Sequence, residues 1–184
     1  MPILPFKGVW PTIADDVFIA PGAMVIGNVT IHAGASIWYN TVIRGDMAPI
    51  VIGARTNIQD NCTLHVDSDA PLTIGSDCTV GHGAVVHGAT LSDRILVGMN
   101  AAILSHATVG SQTIIGACAL VGESKSIPEN VLAVGVPAKV ARNLTEAERE
   151  QFVTIAAAYC ERARAHKEAM DETPPGHPQG SPLL

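Results

Sequence analysis

Three histidines, His65, His82 and His87, stand within an otherwise apolar stretch, close to Arg44, Asp46, Gln59 and Asp60. Imidazole nitrogens are the commonest side-chain ligands of a divalent metal, and three of them leave a zinc-like ion an open position for water, the arrangement of a catalytic rather than a structural site. Charged groups inside so apolar a run also require partners. The remaining histidines, His32, His106, His166 and His177, read as surface or turn residues.

Whether three such rings can meet depends on the elements that carry them. Aliphatic residues recur every six positions: Ile13, Ile19, Val25, Ile31, Ile37 and Ile43, then Ile52, Ile58 and Leu64, then Ile74, Val80 and Val86, then Leu91, Val97, Ile103, Val109, Ile115, Val121 and Ile127. The breaks between runs amount to an insertion of three residues, an insertion of four and a deletion of one. Four positions after most of these aliphatics comes a small or β-branched residue, such as Ala23, Thr41, Cys62, Cys78 or Ala101. A period of six suits neither a helix nor one face of a simple sheet, but it is the repeat of a parallel β-helix, in which three six-residue strand-and-turn units make one triangular coil. These nineteen positions predict about six coils, each burying its aliphatics against its neighbours. Glycines at Pro21-Gly22, Ile52-Gly53, Ile74-Gly75, Val97-Gly98 and Ile115-Gly116 mark corners too tight for a side chain. Periodicity does not fix the hand of the coil.

Counted in this register, Ile43, Leu64 and Val86 share a face on successive coils, so Arg44, His65 and His87 also stack. Coils lie roughly 4.8 Å apart, which lets two imidazoles reach one ion at zinc–nitrogen distances of about 2.0–2.1 Å. His82 belongs to the preceding face and projects elsewhere. If prisms associate with three-fold symmetry, His82 of one subunit can meet His65 and His87 of the next, and a closed trimer holds three such sites.

The 184 residues are 47% hydrophobic but only 4% aromatic, so the core is aliphatic. A net charge of −6 without a basic run argues against a nucleic-acid surface. No apolar run approaches a membrane span, and Met1-Pro2-Ile3-Leu4-Pro5 does not resemble a signal peptide, so the expected address is the cytoplasm. Cys62, Cys78, Cys118 and Cys160 show no CxxC spacing and are expected to be reduced, with Cys62 and Cys78 filling small inward slots.

The repeat domain is expected over residues 1–143. Thr145 three residues before Glu148 is a capping-box signature, and Phe152, Ile155, Ala156, Tyr159 and Ala163 fall on one helical face. A helix over about 144–170 is expected to pack along the coil, with Tyr159 as a core residue on its apolar face and, as the alternative, with its hydroxyl approaching the site. The Pro- and Gly-rich tail, 171–184, is expected to lack order.

The motifs Arg44-Gly45-Asp46, Thr56-Asn57-Ile58-Gln59-Asp60, His65, Val80-Gly81-His82, His87-Gly88, Val97-Gly98-Met99-Asn100 and Gly135-Val136-Pro137-Ala138-Lys139 resemble the gamma-class carbonic anhydrase family of hexapeptide-repeat proteins. The resemblance covers residues 8–143 and the helix. It implies a left-handed parallel β-helix with a C-terminal helix, assembled as a homotrimer. It also implies Zn²⁺, or alternatively Fe²⁺ or Co²⁺, held between subunits on His65, His82 and His87. Gln59 matches a glutamine beside metal-bound water, and Arg44, Asp46 and Asp60 match interface ion-pair residues. The implied reaction is hydration of carbon dioxide to bicarbonate by metal-bound hydroxide.

Two departures bear on proton removal. Met47 stands where the archetype has a glutamate, and only Asp67 and Asp69, in the short segment Val66 to Thr73, resemble its acidic shuttle loop. A thioesterase acting on acyl-coenzyme A, revealed by a pantetheine-sized cleft beside the histidines, is one alternative. A non-catalytic metal-stabilised assembly or binding subunit is another. Acyl transfer would leave the three histidines without a role.

Overall fold

The computed structural model describes residues 3–171; the expected tail beyond Asp171 lies outside the described residues. The described chain is a parallel β-solenoid closed by one helix, Glu146–Asp171. Short parallel strands stack in three columns. One column carries Ile3, Val25, Ile43, Leu64, Val86, Ile103 and Val121 inward. The second carries Ile13, Ile31, Ile52, Ile74, Leu91, Val109 and Ile127. The third carries Ile19, Ile37, Ile58, Val80, Val97, Ile115 and Ala133. The stack therefore has about seven coils rather than six. The end rungs escaped the periodic count because a small hairpin, closed by a Phe6–Val9 bridge, sets Ile3 off the six-residue spacing, and because a small residue, Ala133, occupies the last slot.

Inward aliphatics from Val25 to Val121 are fully or almost fully buried, each contributing roughly 1.5–3 kcal/mol by its removal from water. Cys62 and Cys78 fill inward slots, and burial pushes both thiols up to about 12. The corner glycines serve close approach: a Cβ on Gly53 would lie 2.4 Å from the carbonyl carbon of Gly75, and one on Gly98 would lie 2.4 Å from the nitrogen of Ala117. The left-handed backbone falls two residues later, on Arg55, Asp77, Asn100 and Cys118.

The insertions do not break the stack. The three-residue insertion lies within one long strand, Val42–Ile52, which turns a corner and pairs with Met24–Ile31 below. The four-residue insertion forms a small loop closed by an Asp67–Ala70 bridge. The antiparallel strand Lys139–Asn143 covers the last coil. It also brings Arg142 onto Glu148, with which it forms two hydrogen bonds of 2.8 and 2.7 Å. Thr145 and Glu148 complete the reciprocal capping box. The helix buries Phe152, Ala156 and Ala163. It is further anchored through Trp38, whose ring lies 5.5 Å from Tyr159 and 5.0 Å from His166, and through a 2.8 Å hydrogen bond between Tyr39 and His166.

Candidate metal centre

His65 ends the strand Thr63–His65 and His87 ends the strand Val85–His87. The two strands are parallel neighbours in which His87 is registered on His65. Their rings lie 4.9 Å apart, with His65 Nδ1 2.9 Å from His87 Nε2. The opposite nitrogens are committed elsewhere. His65 Nε2 donates to Asp46 Oδ1 at 3.0 Å, and Asp46 is also paired with Arg44. Burial works against the Asp46 carboxylate, but hydrogen bonds from His65 and Arg44 prevail and hold it below the usual carboxylate range.

His87 Nδ1 lies 3.0 Å from Ser105 Oγ, whose own proton goes to Asp67 Oδ2 at 2.8 Å. Ser105 therefore accepts from His87, and His87 carries its ring proton on Nδ1. Both rings, when neutral, turn an unprotonated nitrogen toward the same point. Two facing lone pairs at 2.9 Å repel, and a cation between them removes the conflict. Tetrahedral zinc with bonds of 2.0–2.1 Å separates its ligand nitrogens by about 3.3 Å, so a small opening of the pair admits the ion. The donor set thus fits a divalent metal.

His82 follows the strand Thr79–Val80, in the other sheet, and does not join this pair within one chain. Among the described residues no group of three potential ligands converges. His82 is nonetheless prepared in the same way: Nδ1 lies 2.8 Å from Asp60 Oδ2, leaving Nε2 to point away. Each of the three histidines therefore has an aspartate on one ring nitrogen, directly or through one serine, as metal-binding imidazoles characteristically do.

Gln59 is buried beside His82 and donates through Nε2 to Asn57 Oδ1 at 3.2 Å. The two residues line a cleft of about 450 Å³ whose walls include Met99, Ile115, Ile155 and Tyr159. Tyr159 is half-buried and both packs on Trp38, as a core residue would, and lines this cleft beside His82; burial raises its hydroxyl above the ordinary value. Met47 is exposed, and Asp69 lies 3.6 Å from His106 at the surface. The residue that sequence reasoning missed is Ser105, a buried hydroxyl in a coil of aliphatics.

A family model for the bacterial transferase hexapeptide (six repeats) matches residues 11–45. The chain is 46% identical over 165 residues to a protein of Geobacillus kaustophilus named carbonic anhydrase, covering 90% of this chain and 91% of that one. It is 41% identical over 162 residues to gamma carbonic anhydrase 2, mitochondrial, of Arabidopsis thaliana, covering 85% of this chain and 58% of the longer plant protein. A solved structure from Bacillus cereus, named as a candidate acetyltransferase, superposes with a TM-score of 0.89 at 42% identity, over 91% of this chain and 97% of that one. Identity at this level, sustained along nearly the whole of both the Geobacillus protein and this one, places the chain: it belongs to the gamma-class carbonic anhydrase family of hexapeptide-repeat proteins.

Proposed function

We propose that the protein is a metal-dependent carbonic anhydrase that interconverts carbon dioxide and bicarbonate at sites between the subunits of a homotrimer. The observation that carries this reading is the pair of imidazole nitrogens, His65 Nδ1 and His87 Nε2, that face each other at 2.9 Å while Asp46 and Ser105 engage the opposite nitrogens. His65 and His87 of one subunit hold one side of the site, and His82 of its neighbour completes it. Three neutral imidazoles suit Zn²⁺, with Fe²⁺ and Co²⁺ as alternatives. When bound, such an ion acidifies water from a pKa of ~15.7 to ~7, which supplies the nucleophile for hydration at neutral pH.

The chain's own residues supply binding and orientation. Asp46 and Asp60 fix the ring protons of His65 and His82 away from the ligand side. Arg44 keeps Asp46 ionised. Gln59, with its amide nitrogen committed to Asn57, presents its carbonyl oxygen as an acceptor beside His82. The apolar walls formed by Leu96, Met99 and Ile115 suit a small non-polar substrate. With Met47 in place of a carboxylate and Asp67 engaged by Ser105, the product proton passes to external buffer. Four unpaired cysteines suit a reducing compartment such as the cytoplasm, and no helix among the described residues is long and apolar enough to cross a membrane.

Stopped-flow hydration on protein loaded with zinc, and separately with iron(II) under anaerobic conditions, tests the assignment. Activity should require metal, rise with buffer concentration and vanish in His82→Ala. A fully metallated trimer that stays inactive in concentrated buffer contradicts it. One observation favours a second reading: the cleft of about 450 Å³ beside His82 is larger than carbon dioxide needs and has room for the pantetheine arm of an acyl-coenzyme A thioester, whose hydrolysis by the same metal-loaded protein a thiol-release assay would detect.

A further inference from the structure

We infer that Ser105 and Asp67 are positioning residues for His87: they hold its ring in the Nδ1–H tautomer so that Nε2 faces His65. The inference rests on the metal-site reading above. The arrangement is built rather than incidental. Ser105 is 6% exposed, so its hydroxyl has no ready water substitute, and its two partners are His87 Nδ1 at 3.0 Å and Asp67 Oδ2 at 2.8 Å. Asp67 lies 3.6 Å from His87 Nδ1, too far for a good direct bond, so the serine is the necessary bridge.

Three successive coils contribute, and two irregularities of the repeat bring them together. The four-residue insertion after Leu64 supplies a loop long enough to carry Asp67 past its own coil. The one-residue deletion after Val86 shortens the next corner at Gly88, over which the loop passes. A Cβ on Gly88 would stand 2.7 Å from the Ala70 Cβ and 3.2 Å from Ser105 Oγ, so the loop and the serine occupy the space a side chain would take. Ser105 follows in the coil above. The two irregularities act together, and their joint product is a proton acceptor on the side of His87 opposite His65. The three-residue insertion does the same for His65 by delivering Asp46.

A free neutral imidazole prefers its proton on Nε2, so removing the acceptor at Nδ1 should reverse the tautomer and place a proton where the metal belongs. The test uses the full chain as the assembled protein, in metal-free form for NMR at a pH of about 8.5, where an ordinary imidazole is neutral. Long-range ¹H–¹⁵N spectra should report Nδ1–H at His87 in the wild type and Nε2–H in Ser105→Ala. Asp67→Asn, which keeps the serine but loses the carboxylate that orients its proton, should show a mixture. Zinc affinity, measured by competition with a chromophoric chelator, should fall about 10–100-fold in Ser105→Ala. Thermal unfolding guards against a merely structural effect.

An Nδ1–H tautomer at His87 that persists in folded Ser105→Ala, with unchanged zinc affinity, overturns the assignment. If wild type itself binds no zinc while the tautomer still reverses, the orientation stands and the metal-site reading falls instead.

Discussion

His65 Nδ1 lies 2.9 Å from His87 Nε2, although 22 residues separate the two in sequence. Each ring is pinned from behind, by Asp46 on one side and by Ser105 with Asp67 on the other, so neither can turn a proton into the gap without breaking a hydrogen bond to an acceptor. The scaffold therefore holds two ring nitrogens face to face, while His82 lies in the other sheet.

His82→Ala should lose metal as completely as His65→Ala, although His82 approaches neither His65 nor His87 within one chain. Inductively coupled plasma analysis of the purified variants measures this. Full metal content in His82→Ala would show that the site closes without it.

Asp46→Ala removes the acceptor behind His65 and should weaken zinc binding about 10–100-fold while leaving the coil folded. Chelator competition reads the change, and circular dichroism confirms the fold. An affinity equal to wild type would mean that the aspartate serves only its pair with Arg44.

Gly88→Ala should be costly out of proportion to one methyl group. The position has φ of +53°, where a side chain costs about 1–2 kcal/mol, and the new Cβ would press on Ala70. Both the melting temperature and zinc affinity should fall, because the loop that carries Asp67 must move. A variant with wild-type values in both would sever the link drawn between this corner and His87.

The Arg142–Glu148 pair makes helix anchoring sensitive to acid. The Arg142 hydrogen bonds hold the Glu148 carboxyl at about 2, against an ordinary 4.5. A carboxyl lowered by folding contributes stability that is complete above its unfolded value and lost as pH falls through the folded one. The melting-temperature difference between wild type and Glu148→Gln should therefore be constant above pH 5 and shrink as pH falls from about 4.5 to 2. A difference that persists unchanged at pH 2 would assign the effect to capping alone.

The coil was legible because burial in a solenoid is one-dimensional: every inward slot faces the same neighbours, so Ile43, Leu64 and Val86 reveal their column by spacing alone. His65 and His87 inherit that column, which is why their adjacency could be counted. Ser105 could not be found that way. Val86 is registered on Ile103, so the count sets Leu104 level with His87, and only the shortened corner at Gly88, with the Asp67–Ala70 loop of the preceding coil against it, brings the serine to the ring. Insertions read as gaps in a repeat; what they deliver depends on loop paths, which periodicity does not encode. The end coils at Ile3 and Ala133 were hidden for a related reason, since neither keeps both the spacing and the residue size of the repeat.

A site that takes ligands from two chains can be rebuilt by mixing subunits that each lack a different ligand. Ser105→Ala and Asp46→Ala leave every ligand in place, whereas His65→Ala and His82→Ala each remove one, and neither alone should bind zinc. Unfolded together in equal amounts and reassembled, they should regain about a quarter of the wild-type zinc content, because each mixed trimer has one junction with His82 from one chain and His65 and His87 from the other. No recovery at any mixing ratio would contradict the shared site.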